Sequence, residues 1–165
     1  MKFEYKIEEK EFIKLKFLLV YRKKITIFTL FLCLSILLLN LYKHFLFGTK
    51  SINFFWVLIN IYLFIGVPIY FFYKFKREYS TNKQLQKKVV SEITDEKITD
   101  TTYDSKAEAS WDDVHKIEEL KAWFIFYYAN DMFGLSPKRA KTNKQIKELR
   151  KIITENKIKA KLRND

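Results

Sequence analysis

Two uncharged apolar runs, Ile25 to Tyr42 and Ser51 to Tyr73, constrain this chain more than any motif in it. At about 1.5 Å per helical residue they extend roughly 27 and 34 Å, against a hydrocarbon core of about 30 Å. They read as two membrane spans. A soluble core would instead need two long helices with no polar face, which soluble helices ordinarily present to water. The first run begins only at Ile25, lacks a small-residue cleavage site and is followed at once by the second, so neither reads as a removable signal peptide.

Flanking cations set the orientation. Lys14, Lys16, Arg22, Lys23 and Lys24 precede the first run, Lys74, Lys76 and Arg77 follow the second, and only Lys43 and Lys50 lie between. Cations near span ends are retained in the cytoplasm, which puts both termini inside and the Gly48-Thr49-Lys50-Ser51 turn outside. The expectation is a multi-pass protein of the cell membrane with two spans. Tyr21, Tyr42, Phe54, Phe55, Trp56, Tyr70 and Tyr73 fall near the span ends, where amphipathic rings favour the interface.

Within the spans no ionisable Asp, Glu, Lys, Arg or His appears, so no ion or proton path is expected. Asn60, near mid-span, is expected to hydrogen-bond to a neighbouring helix of this chain or of another, at about 0.6 kcal/mol. Gly66 and Pro68 predict a bend in the second span. Cys33 is the only cysteine and sits in a span as an apolar filler, while His44 and His115 lack partners at ligand spacing. His44 reads as interfacial and His115 as part of a strand surface. Three glycines in the whole chain leave no phosphate loop. Neither a metal nor a cofactor is expected, and no acid, base and nucleophile set identifies an enzyme.

Before the spans, residues 1–24 open with Phe3, Tyr5 and Ile7 alternating with Lys2, Glu4 and Lys6, a strand pattern. Glu8, Glu9 and Glu11 then introduce a helix with Phe12, Leu15 and Leu19 on one face. Whether the strand joins the C-terminal sheet stays open at this point. Residues 79–165 suit one small domain. Strands are expected at Val89 to Thr94, Lys97 to Thr102, Lys106 to Trp111, Val114 to Glu119, Ala122 to Ala129 and Met132 to Leu135, in an antiparallel meander. Asp95-Glu96 and Asn130-Asp131 serve as turns. Trp123 to Tyr128 is aromatic or aliphatic on both faces, predicting a strand covered on both sides. Thr142-Asn143-Lys144-Gln145 fits a capping box, and Ile146, Leu149, Ile152 and Ile153 form the stripe of a closing helix. Ile158 and Leu162 extend that stripe into a frayed polar tail. The fold class is α+β: a transmembrane hairpin over residues 25–73 and a small antiparallel sheet closed by a C-terminal helix.

In this order the chain resembles the YcxB-like family of bacterial membrane proteins. The resemblance rests on the Phe3-Glu4-Tyr5 strand, the paired spans, Trp111-Asp112-Asp113-Val114 leading into Lys116-Ile117-Glu118-Glu119, and the aromatic strand followed by Ser136-Pro137-Lys138-Arg139. It implies a cytoplasmic domain of pleckstrin-homology type and no particular reaction. Leu135-Ser136 stands where the family leads one to expect a more apolar pair, predicting that the strand ends early. Trp111 is expected to pack against the closing helix, and Pro137 to end an edge strand. Adjacent strand residues point to opposite faces, so Asp112 and Asp113 read as turn or solvent residues.

The net charge of +12 is concentrated at the end of the chain: residues 138–165 carry eleven Lys or Arg against three acids, and residues 78–137 seven against twelve. Contact with anionic lipid headgroups or a protein partner is therefore expected at Lys138, Arg139, Lys141 and Lys144. No nucleic-acid recognition motif accompanies the charge. The leading expectation is a membrane-anchored, non-enzymatic interaction module whose β domain binds a protein partner or the membrane surface. The alternative is an accessory subunit of a membrane transport or export assembly. Oligomeric state does not follow from the sequence.

Overall fold

The computed structural model describes residues 1–47, 54–128 and 132–163, and the expected turns at Gly48 to Ser51 and Asn130-Asp131 lie outside them. The protein is α+β and divides into two compact units, residues 8–84 and residues 1–7 with 85–165.

In the helical unit, α1 (Glu9–Tyr21) starts at Glu8, whose backbone N–H donates to Glu11 Oε2 at 3.2 Å. Glu9 and Glu11 lie in its first turn, where negative charge complements the helix dipole. Phe12, Ile13 and Leu15 are buried. Leu19, expected beside Phe12 and Leu15, is only half-buried. α2 (Lys24–Phe47) is a single helix, whereas α3 (Phe54–Ile61) passes through a π-helical turn (Tyr62–Gly66) into α4 (Val67–Thr81). Two helices are thus long and apolar enough to cross a membrane, Lys24–Leu46 and Phe54–Thr81. In the π turn the Val67 N–H reaches back to Tyr62 O, and Gly66 lets the Tyr62 ring lie where a Cβ would meet it at 3.1 Å. Pro68, which has no N–H to give, stands in the first turn of α4 directly after this irregularity.

Polar side chains of the long helices turn inward to their own backbones. Thr29 Oγ1 donates to Ile25 O, Ser35 Oγ to Phe31 O, and Asn40 Nδ2 to Ile36 O. Asn60 does more: its Nδ2 donates to Trp56 O at 2.9 Å and across to Cys33 O at 3.3 Å, tying α3 to α2. α1 packs on α4 through Phe12 against Tyr79 and Phe17 against Phe75, and Lys16 Nζ reaches Glu78 at 2.6 Å.

The β unit holds two four-stranded sheets instead of one small antiparallel sheet. The first has the order β1 (Lys2–Lys6), β2 (Lys88–Ile93), β3 (Lys97–Thr101), β4 (Lys106–Ser110), antiparallel throughout. The N-terminal strand therefore does join the sheet, with Lys2 opposite Glu92 and Lys6 opposite Lys88. The second runs β7 (Phe133–Pro137), β6 (Trp123–Tyr128), β5 (Val114–Glu119), β8 (Ala160–Lys161). Its last pairing is parallel, so the tail expected to fray is instead held along β5, with the Ile117 N–H donating to Lys159 O at 3.0 Å. Trp111, expected on a strand, sits in the 3₁₀ turn Trp111–Asp113 that carries the chain from the first sheet to the second. Its indole is buried, donates to Thr94 O at 3.0 Å and has Phe126 as ring neighbour at 6.5 Å. β7 does not end early: Leu135, Ser136 and Pro137 are all buried and pair with β6 as far as Trp123 opposite Pro137.

α5 (Asn143–Glu155) begins at the expected cap, Thr142 Oγ1 accepting from the Gln145 N–H and Gln145 Oε1 from the Thr142 N–H. Leu149, Ile152 and Ile153 are buried. The helix stops before Ile158, because Lys157 takes a φ of 52° and the N–H groups of Lys157 and Ile158 turn back to Thr154 O and Ile153 O. Glycine adopts that conformation without the Cβ penalty, so Lys157→Gly is expected to raise stability by about 1 kcal/mol in a denaturant titration.

One buried carboxylate gathers the second sheet, the turn after β7, α5 and the tail. The Glu119 side chain is 0% exposed and accepts from Arg150 Nε at 3.0 Å and Nη2 at 2.6 Å, from the Arg163 N–H at 3.1 Å, and from Lys138 Nζ. Burial alone would raise its pKa, but the bonds from Arg150, Lys138 and the Arg163 N–H outweigh that and hold it below the usual carboxylate value. The stability it contributes is present above the unfolded glutamate value and is lost as pH falls through the depressed folded value. Glu119→Ala leaves two cations without their partner and is expected to cost about 3 to 5 kcal/mol in thermal or chemical unfolding.

Candidate functional site

Alternation along β3 points Ile98 and Asp100 to one face, and register puts Ala109 and Ala107 opposite them on β4. Because alanine ends at Cβ, this part of the sheet leaves space above it. The space is a cleft of about 420 Å³ walled by the first sheet on one side and by Asp112, Asp113, His115 and Tyr128 on the other, with Met132 beside them. Asp113 is already engaged as a cap, accepting from Ser110 N at 2.9 Å and Ser110 Oγ at 3.0 Å. Asp112 and His115 are exposed. Asp112 and Asp113 are turn residues as expected, but in a 3₁₀ turn they line the same cleft and do not point to opposite faces.

At the base of the cleft Asp100 is the unusual group. Its Oδ1 is buried with no hydrogen-bond partner. Burial pushes its carboxyl above the ordinary value, against the opposing effects of the Ser91 hydroxyl and of Lys141. Ser91 is its cross-strand neighbour on β2. Tyr128 is raised to about 12 by burial and then by the charges of Asp100 and Asp113. Tyr5, buried on β1, is raised further by burial and by Asp100. Gly134 on β7 gives the Tyr128 ring its place, since a Cβ there would meet Tyr128 Cε2 at 3.2 Å and Oη at 3.3 Å.

The four expected contact residues do not form one solvent-facing patch. Lys138 binds Glu119, with its Nζ also 5.3 Å from the Phe124 ring centre. Arg139 Nη2 donates to Lys6 O at 2.7 Å. Lys141 is 8% exposed, donates to Ser136 Oγ at 2.5 Å and Pro137 O at 3.2 Å, and lies 3.8 Å from the centre of the Phe3 ring. Of the four, Arg139 and Lys144 are exposed, Lys138 is half-buried and Lys141 is buried. With Gln145 Nε2 donating to Lys2 O at 3.2 Å, Arg139 and Lys141 clasp β1, the edge strand of the first sheet. Covering that edge with side chains removes acceptors that would otherwise invite another strand.

Asp100 and Tyr128 were not singled out by sequence. The signal was present in β2 and β3, where Ser91 and Asp100 occupy in-facing positions of the period-two pattern next to Ile93 and Ile98. A polar side chain at such a position asks for a partner or a ligand. Among the described residues, no group of three or more His, Cys, Asp or Glu side chains could hold a metal ion.

Residues 93–153 match the family model described as YcxB-like protein. The matched stretch contains the Trp111 to Glu119 and Ser136 to Arg139 motifs and the whole lining of the cleft. No curated protein and no solved structure matches the chain.

Burial also lowers Lys141 to about 7, against the opposing charge of Asp100. Between that value and the ordinary lysine value of about 10.4 the unfolded chain binds more protons, so stability rises with pH by up to about 1.4 kcal/mol per unit. The tyrosines act above about pH 10. Melting temperature is expected to climb from pH 7 to 9 in the parent and to stay nearly flat across that interval in Lys141→Met.

Proposed function

We propose that the chain is a membrane-anchored, non-enzymatic interaction module whose β unit lies in the cytoplasm and takes a basic side chain of a protein partner into the Asp100 cleft. The observation that carries the reading is the buried Asp100 oxygen without a partner at the base of an acid-rimmed cleft. A lysine or arginine group supplies the donors and the charge this oxygen lacks, and Tyr128, Met132 and the two alanines cover its aliphatic stem. The architecture is then of pleckstrin-homology type, with α5 closing the sheets through Leu149, Ile152 and Ile153.

Two independent features support the membrane topology. The cations flanking the long helices favour the cytoplasm on the side of both termini. Pairing of β1 with β2 across both helices also requires an even number of crossings between Lys6 and Lys88. The apolar side chains of α2 and α3, Phe28, Phe31, Leu38 and Leu58 among them, are exposed, as side chains facing lipid are.

A photoreactive amino acid in place of Met132 tests the cleft in intact cells. The expected outcome is a cross-link to a protein in the parent and its loss in Asp100→Asn, with membrane integration unchanged. Equal cross-linking in the two would remove the cleft from the interaction.

A further inference from the structure

A second hollow lies in the helical unit, apart from the cleft. It is a groove of about 200 Å³ at the junction of α1 and α2, walled by Tyr21, Ile25 and Leu30 on one side and by Leu63, Val67 and Phe71 on the other. The π turn shapes the second wall: Leu63 belongs to it and Val67 closes it with its wide hydrogen bond to Tyr62 O. Thr29, also in the groove, gives its hydroxyl to Ile25 O, which leaves a methyl group for the interior. The lining is therefore suited to a hydrocarbon.

The charge near this hollow is mostly positive, and the nearby acid Glu78 is bound to Lys16. From Phe12 to Arg77 the chain has no Asp or Glu, while Lys23 and Lys24 adjoin Ile25 and Lys74 lies three residues beyond Phe71. All three lysines are exposed. An apolar slot with exposed cations close in sequence to its lining residues is complementary to a molecule with a fatty tail and an anionic head.

We propose that this groove is a binding site for one anionic phospholipid, an acyl chain lying along Ile25, Leu63, Val67 and Phe71 and the phosphate held by Lys23, Lys24 and Lys74. The inference rests on the two long helices lying in a bilayer and is separate from the Asp100 cleft. It gives the helical hairpin a lipid preference, so the protein gathers at anionic regions of the membrane without using its β unit.

The test uses the full chain in phosphatidylcholine vesicles containing a small fraction of phospholipid with a photoactivatable acyl chain, carried on either a phosphatidylglycerol or a phosphatidylcholine head. Labelled residues are located by peptide mass analysis. The expected result is label concentrated at Leu63, Val67 and Phe71, several-fold above Phe31 and Leu38, and several-fold stronger with the glycerol head. Lys23→Gln with Lys24→Gln and Lys74→Gln should erase the head-group preference, and Val67→Phe, which fills the slot, should remove the concentration of label while the helices stay labelled. Uniform label along both helices, or equal label from the two heads in the parent, would overturn the site. Absence of label from both helices would overturn the membrane reading itself and the site with it.

Discussion

The Glu119 carboxylate is the interaction on which the β unit turns. A carboxylate withdrawn from water is costly unless cations and N–H groups replace its hydration. Here the replacements come from three separate parts of the chain, Lys138 after β7, Arg150 in α5 and the Arg163 backbone near the end. Each must arrive for the charge to be tolerated, so a local requirement fixes long-range geometry. The parallel pairing of β8, only two residues long, becomes intelligible in this light, because the Arg163 N–H bond secures the tail immediately after the strand.

Charge is used differently elsewhere in the same unit. Lys141 and Asp100 are both drawn toward their neutral forms by burial, and the aromatic ring of Phe3 takes the place of water around the amine. Glu119 is saturated with donors, whereas Asp100 keeps one oxygen unmatched beside an open cleft. That contrast separates a carboxylate whose donors hold the fold together from one whose hydrogen-bonding capacity the fold leaves unfilled.

Much of the fold was legible in the residues. Phe3, Tyr5 and Ile7 announced a strand, Thr142 and Gln145 a helix start, and the uncharged runs two long helices, because each signal is contained within a few consecutive residues. The split into two sheets was not legible, since it depends on Trp111 turning the chain at a 3₁₀ corner and sending its indole to Thr94, a distant partner. The contacts of the basic run after Pro137 were not legible for the same reason. In sequence Lys138, Arg139 and Lys141 look solvated, and only the fold brings Glu119, the Lys6 carbonyl and the Phe3 ring to them. The cleft depends on Ala107 and Ala109 facing Ile98 and Asp100, a matter of register that composition does not reveal.

The pairing of β1 with β2 has a consequence for biosynthesis. The first strand leaves the ribosome with no partner and stays without one until both long helices and then Lys88 to Ile93 have been made. During that interval Phe3, Tyr5 and Ile7 have no sheet to cover them. With the two long helices spanning a bilayer as proposed, a second helix that failed to insert would leave β1 and β2 on opposite sides, and the open edge of β2 would be free to pair with another chain. Under the proposed topology, completion of the first sheet would act as a proofreading step on helix insertion: a chain threaded correctly seals its own edge, and a chain threaded incorrectly exposes the kind of surface that quality-control proteases and chaperones recognise.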